Sequence, residues 1–228
     1  MLKKINFLCV IPARGGSKGI KNKNIVKLKK KKLIEYTLEV VNKIKSINKS
    51  ILSSDSQKIL NVARKYKNIN VHKRPLHLAS DRALTIDTIR LLLKDEKKIG
   101  NNYDYVIILM ATSPLRKLNH VIDCIKLVQK KKPDSLVSVH SLGKPLEWLL
   151  EKSKKGYLSE YMGKGASFGN RQNKKEYFFP NGAIFILSTK KINQNGYYFD
   201  KTIPYEMKYF ESLDIDHKED LDLVKKFI

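Results

Sequence analysis

The chain has 228 residues, enough for one large folded unit with a good core or at most two small ones. Its 46 basic and 22 acidic residues give a formal net charge of +24, which raises a nucleic-acid partner, but the lysines are scattered (Lys29 to Lys32, Lys130 to Lys132, Lys225 and Lys226) without interleaved aromatic residues, so solvated lysine faces explain the charge more simply and nucleic acid is not expected. No apolar run approaches the roughly 18 residues of a membrane span, and Met1 to Ile5 leads straight into an apolar segment without a signal-peptide pattern, so a cytoplasmic protein with no membrane partner is expected.

The first predicted element is a buried strand over Phe7–Ile11, ended by Pro12, which has no N–H for the ladder. Residues 11 to 24 then read I-P-A-R-G-G-S-K-G-I-K-N-K-N. Gly15, Gly16 and Gly19 permit sharp bending and close approach to a ligand, while Arg14, Lys18, Lys21 and Lys23 add positive charge with no acid. A strand opening into such a loop suits a polyphosphate, because loop N–H groups and cations converge on it. The plain alternative is a basic surface loop in a lysine-rich chain. The pattern is neither G-x-x-x-x-G-K-[ST] nor G-x-G-x-x-G.

Further apolar runs predict strands at Ser50–Ser53, Asn70–His72, Tyr105–Leu109, Ser135–Val139 and Ala183–Leu187. Helix-period segments lie between several of them. Leu33, Leu38, Val41 and Ile44 share one face; Ile59, Leu60, Val62, Ala63 and Tyr66 mark a second helix; Ile86, Ile89, Leu92 and Leu93 a third; Val121, Ile122, Ile125 and Val128 a fourth. The alternation predicts a three-layer α/β architecture with a mostly parallel sheet, in one domain over residues 1–228. Such sheets bind ligands beyond the carboxyl ends of their strands. Cys9 and Cys124 read as small buried hydrophobes in a reducing compartment.

The pattern breaks at about 144–179, where Gly156, Gly163, Gly165 and Gly169 mix with Tyr157, Tyr161 and Phe168. This segment reads as an insertion or hairpin that covers the site or joins a partner subunit. Trp148 within it reads as a packing residue. Near the C-terminus, Asp214 and Asp216 of S-L-D-I-D point to one side of an extended strand. Two acids so spaced suit Mg²⁺, or are solvated acids at a strand end. Ser80 and Asp81 can cap a helix starting near Leu84, and Asp55 can cap the helix after the second strand. Asn181-Gly182 before a β-run is a turn signal. The histidines at 72, 77, 120, 140 and 217 show no ligand spacing and look incidental.

Several of these motifs, in this order, resemble the N-acylneuraminate cytidylyltransferases. The likeness rests on A-R-G-G-S-K-G with K-N-K-N, S-S-D at Asp55 (S-T-D in the family) and Arg74-Pro75-x-x-Leu78-Ala79-x-Asp81. It continues through Ala111-Thr112-Ser113-Pro114-Leu115-Arg116 (P-T-S-P-L-R), P-N-G-A-I-F-I at Asn181 and S-L-D-I-D (I-D-I-D). The resemblance implies a Rossmann-like nucleotidyltransferase that transfers CMP from CTP to the anomeric hydroxyl of a nonulosonic acid, releasing pyrophosphate. It implies Mg²⁺, with Mn²⁺ as a substitute, held by Asp214 and Asp216, and a homodimer built by the 144–179 region. Arg14, Lys18, Lys23, Asp214 and Asp216 are the catalytic candidates it points to. CTP would be bound by Arg14, Gly15, Gly16, Ser17, Lys18, Lys23, Asn24, Arg74, Ser80 and Thr85. The sugar would meet Met110, Thr112, Ser113, Arg171, Gln172 and Asn181. The chain departs from the pattern at Met110, where Gln often stands, at Ala111 in place of Pro, and at Phe179 in place of Arg, which leaves the acceptor sugar open. The alternatives are a related sugar nucleotidyltransferase with another acceptor and a non-catalytic basic nucleic-acid-binding protein.

Overall fold

The computed structural model describes residues 5–17, 19–166 and 175–228. In chain order these form β1 (Phe7–Pro12), β2 (Lys27–Leu28), β3 (Lys31–Lys32), α1 (Leu33–Asn42), β4 (Lys49–Ser54), α2 (Gln57–Ala63), β5 (Asn70–Lys73) and α3 (Thr85–Lys98). There follow β6 (Tyr105–Leu109), α4 (Leu118–Lys131), β7 (Ser135–Ser141), β8 (Leu150–Lys152), β9 (Leu158–Glu160), β10 (Phe178–Ser188), β11 (Thr202–Glu206) and α5 (Lys218–Val224). Seven of the strands make one sheet in the order β11-β7-β10-β6-β1-β4-β5. β1 runs parallel to both β4 and β6, β4 to β5, and β7 to β11; β10 is antiparallel to β6 and β7. The mostly parallel α/β sheet expected from the sequence is therefore present.

The alternation of side chains along the strands divides the core between the two sheet faces. Phe7, Cys9 and Ile11 of β1 join Ile107 and Leu109 of β6 beneath Ile34 and Leu38 of α1, Leu60 of α2 and Val121 and Cys124 of α4. Leu8 and Val10 join Val106 and Ile108 on the other face, where Ile86, Ile89 and Leu92 of α3 cover them. Helices on both faces explain why β1 and β6 are buried at every position and read as continuous apolar runs. Both cysteines are buried and free, and burial pushes the Cys9 thiol up to about 12. No helix of the described residues is long and apolar enough to cross a membrane.

Several expectations change. Ile44 and Tyr66 fall just past the ends of α1 and α2, yet both still pack on the core. β10 extends well beyond Ala183–Leu187, with a register shift between Pro180 and Phe185 that places Gly182 at φ +74°. The Asn-Gly turn signal thus marks a bulge inside a strand, not a turn before one. Residues 213–216 form no strand and join no ladder. In the 144–179 region, β8 and β9 form an antiparallel hairpin. Trp148 beside it is 40% exposed, so it is not the packed residue expected.

Candidate active site

At the carboxyl ends of β1, β4, β5 and β6 the chain leaves the sheet in loops that surround a cleft of about 450 Å³. This is where ligands bind in open α/β sheets. Of the residues singled out in the sequence, Arg14, Ser17, Lys23, Asn24, Arg74, Ser80, Thr85, Met110, Thr112 and Asp216 line it. They come from distant parts of the chain. Lys18, Arg171 and Gln172 lie outside the described residues. His217, which looked incidental, also lines the cleft, one residue after Asp216.

The glycines of the loop also bear on how it packs against the rest of the chain. None of Gly15, Gly16 and Gly19 has a positive φ, so none is needed for a left-handed turn. A side chain at Gly19 would collide with the carbonyl oxygen of Asp216, and one at Gly15 would come within 2.9 Å of the Ser56 Cβ; Gly16 faces open space. Two glycines therefore let the loop press against the protein's own chain, and one of those contacts seats the acidic segment. The loop is fixed by two further bonds. The Gly15 N–H donates to Asp55 Oδ1 at 2.8 Å, and Asn24 Nδ2 donates to the Arg14 carbonyl at 2.9 Å. Asp55 is thus a brace for the loop: α2 starts after Ser56 with no side-chain cap. Asn24 is buried and also acts as a brace.

Three cations meet here, each held by an acceptor. Arg14 Nη1 lies 2.7 Å from Asp81 Oδ1, and Lys23 Nζ lies 2.8 Å from Asp216 Oδ1. Buried Arg74 donates through Nε to Ser53 Oγ and through Nη2 to the Ser53 carbonyl. Ser80 and Asp81 do not cap α3, whose first turn follows Leu84 without a side-chain cap. Asp81 faces Arg14 instead, and Ser80 Oγ donates to the His77 carbonyl.

The segment carrying the two carboxylates is tied down by the Ile215 N–H, which donates to the Thr112 carbonyl at 2.9 Å, and by the buried Ile215 side chain. Asp214 and Asp216 flank that residue, and the charge of Asp216 acts on Asp214. Ser113 Oγ donates to Asp214 Oδ1 at 3.2 Å. Burial, then the neighbouring charge of Asp216, holds the Asp214 carboxyl above its ordinary value, against the opposing pull of Thr112, Lys23 and Ser113. A half-buried carboxylate repelled by a second one fits a divalent cation, which would relieve both costs. Among the described residues no cluster of three or more His, Cys, Asp or Glu side chains surrounds them. That donor set suits Mg²⁺, which is held by one or two carboxylates and completes its shell with water and substrate phosphates.

Behind the cleft wall lies a residue whose role the sequence did not show. Arg116 is buried; Nη1 donates to the carbonyls of Met110 (3.1 Å) and Ala183 (2.7 Å), and Nη2 to Thr37 Oγ1 (2.6 Å). One guanidinium thus fastens the 110–116 loop to β10 and α1. A charged residue closing an otherwise uncharged loop was the available signal, because a buried guanidinium must find several acceptors. Asn181 does not line the cleft. It is buried in β10, where Oδ1 accepts from Ser138 Oγ and the Ala183 N–H, and its Nδ2 has no hydrogen-bond partner.

A family model described as Cytidylyltransferase matches residues 8–227. The chain is 33% identical over 222 residues to an N-acylneuraminate cytidylyltransferase of Escherichia coli O18:K1:H7 (strain RS218 / NMEC), covering 96% of this chain and 51% of that protein. The chain therefore spans about half the length of that relative. It is 30% identical over 225 residues to a CMP-N,N'-diacetyllegionaminic acid synthase of Campylobacter jejuni subsp. jejuni, with 97% and 94% covered. Among solved structures, a CMP:2-keto-3-deoxy-manno-octonic acid synthetase complexed with CTP superposes with a TM-score of 0.67 over 97% of this chain and 98% of that one, at 13% identity. At that identity the likeness is one of fold. The chain belongs to the cytidylyltransferase family.

Proposed function

We propose that this chain transfers CMP from CTP to the anomeric hydroxyl of a nonulosonic acid and releases pyrophosphate. One observation carries the reading: Arg14 and Lys23 of the glycine loop, Arg74 from the end of β5 and Asp216 from the far end of the chain line one cleft at the carboxyl ends of the strands. The names of the relatives, which concern neuraminic and legionaminic acids, support the acceptor class.

In this reading the loop from Arg14 to Asn24 and Arg74 hold the triphosphate, and the acceptor approaches from the side of Met110 and Thr112. The sugar hydroxyl attacks the α-phosphorus in line, and the bond to the β-phosphate oxygen breaks. Arg14 and Lys23 offset the charge growing on the leaving pyrophosphate, and Lys18 adds to them. Asp214 and Asp216 would hold Mg²⁺, which supplies charge neutralisation at the phosphates when bound. The protein's share is positioning, since phosphoryl-type transfer needs little covalent help. The exposed apolar side chains of the hairpin, Leu150, Tyr157 and Leu158, support a homodimer interface there. The location proposed is the cytoplasm, where CTP is available.

The reading is tested by incubating the protein with CTP, Mg²⁺ and a panel of nonulosonic acids and identifying products by mass. A CMP-sugar from at least one acid is expected. No adduct with any acid, or an adduct only with another nucleotide, would overturn it.

A further inference from the structure

Arg74 reaches the cleft from a strand end, and its side chain is part of a longer chain of hydrogen bonds. The ladder between β4 and β5 sets His72 directly opposite Ser53. Ser53 is fully buried, and its Oγ lies 3.0 Å from His72 Nδ1 and 3.2 Å from Arg74 Nε. A guanidinium can only donate, so Ser53 Oγ accepts from Arg74. In the Nε2–H tautomer of His72 the hydroxyl donates its single proton to Nδ1, and this tautomer is the one on which the relay is built. A second bond, from Arg74 Nη2 to the Ser53 carbonyl at 2.7 Å, fixes the plane of the guanidinium. That carbonyl also accepts from the Ala13 N–H at 2.9 Å, at the root of the glycine loop. Nη1 takes part in none of these bonds.

We propose that Ser53 and His72 are positioning residues for the nucleotide: the relay from Arg74 through Ser53 to His72 aims the guanidinium at a phosphate of the bound substrate. The proposal rests on the reading of the cleft as a CTP site. It makes the aim of Arg74 depend on the protonation of His72. An imidazolium carries a proton on both nitrogens, so Nδ1 would become a donor and the serine proton would lose its acceptor. Burial and the charge of Arg74 hold His72 below the ordinary histidine value, while Asp95 of α3 acts in the opposite sense; β4 offers only the uncharged Ser53. The relay is thus intact at neutral pH and opens on acidification.

The experiment titrates CTP, with Mg²⁺ present, into the wild type, Ser53→Ala, His72→Phe and His72→Asn by calorimetry at pH about 7.5 and about 5.5, on either side of the ordinary histidine value. The same proteins give kcat and the KM for CTP. Asparagine keeps an acceptor oxygen where Nδ1 stands but does not titrate. Ser53→Ala and His72→Phe are expected to weaken CTP binding about three- to tenfold at the higher pH, the size of one lost net hydrogen bond, with kcat at saturating CTP kept. His72→Asn should bind like wild type there, and should lose less affinity than wild type on acidification. Unchanged CTP affinity in both Ser53→Ala and His72→Phe would overturn the proposal, as would equal acid losses in wild type and His72→Asn. Wild-type protein that binds no CTP would overturn the nucleotide reading, and the proposal with it.

Discussion

At the scale of the residue, the cleft is held ready by internal counter-ions. Lys23 is paired with Asp216 and Arg14 with Asp81, both in partly exposed geometry where an ion pair contributes little to stability. The pairs are therefore easily exchanged for phosphate oxygens, which carry more charge. Lys23→Ala should lower kcat/KM for CTP by about 10²-fold, the scale of one lost electrostatic stabiliser, while thermal stability barely moves; a loss below twofold would remove Lys23 from the machinery. Gly19 tests the contact between loop and acidic segment. Gly19→Ala drives a methyl into the Asp216 carbonyl oxygen, so turnover should fall although no charge has changed. Wild-type turnover in that variant would contradict the seating role. These positions were unevenly legible in the sequence. Arg14, Lys23 and the aspartates were found because charge and glycine cluster there. The roles of Asp55, Asp81 and Gly19 were not, because each acts on a partner remote in sequence.

At the scale of the element, strands buried on both faces were plain in the sequence as unbroken apolar runs, and Tyr105–Leu109 matches β6 at both ends. The antiparallel direction and full length of β10 were not. Its outer half, Phe178 to Pro180, pairs with β7 at exposed positions where no apolar run is required. Arg116 belongs to this scale, since it joins three elements. Burial pushes it down to about 10, still charged at neutral pH. Arg116→Leu would remove the donors to the Met110 and Ala183 carbonyls and to Thr37 Oγ1, leaving only the 3.3 Å bond from Thr37 Oγ1 to the Met110 carbonyl, at a cost of about 2 kcal/mol. A urea midpoint that does not move would contradict that accounting. The β8–β9 hairpin gives a prediction of the opposite kind. Leu150 and Leu158 are 53% and 64% exposed, so replacing both with Lys should leave the protomer's stability nearly unchanged. In the proposed dimer the same change should shift sedimentation from dimer toward monomer; a monomeric wild type, or an unshifted double variant, would remove the hairpin from the interface.

At the scale of the whole molecule, the partly buried histidines shape the response to pH. Burial is the first cause holding His72, His120 and His140 below the ordinary histidine value. A group whose folded value is lowered binds its proton more tightly when unfolded, so its share of stability is present above the unfolded value and lost as pH falls through the folded one. The melting temperature should therefore decline as pH drops below about 6.5. Asp214 works in the reverse sense: its raised carboxyl favours folding at low pH and gives up that share as pH rises through its folded value. The three histidines, with the lowered carboxyls of Asp95, Glu96, Glu211 and Asp222 acting in the same sense, outweigh Asp214, and a melting temperature that rose on acidification toward pH about 5 would contradict it. The overall layering of helix and sheet was legible from periodicity alone. The assembly of the cleft was not, since it joins residues 14 to 24 with 214 to 217 across nearly the whole chain, and only the order of the motifs hinted that they meet. The central claim is that this cleft joins CMP to a nonulosonic acid, and the most direct test is pyrophosphate release measured with CTP, Mg²⁺ and that acid, for wild type and Asp216→Asn. Release that requires both substrates and is lost in a folded Asp216→Asn protein is the result predicted; release independent of the acid, or undiminished in the variant, would contradict it.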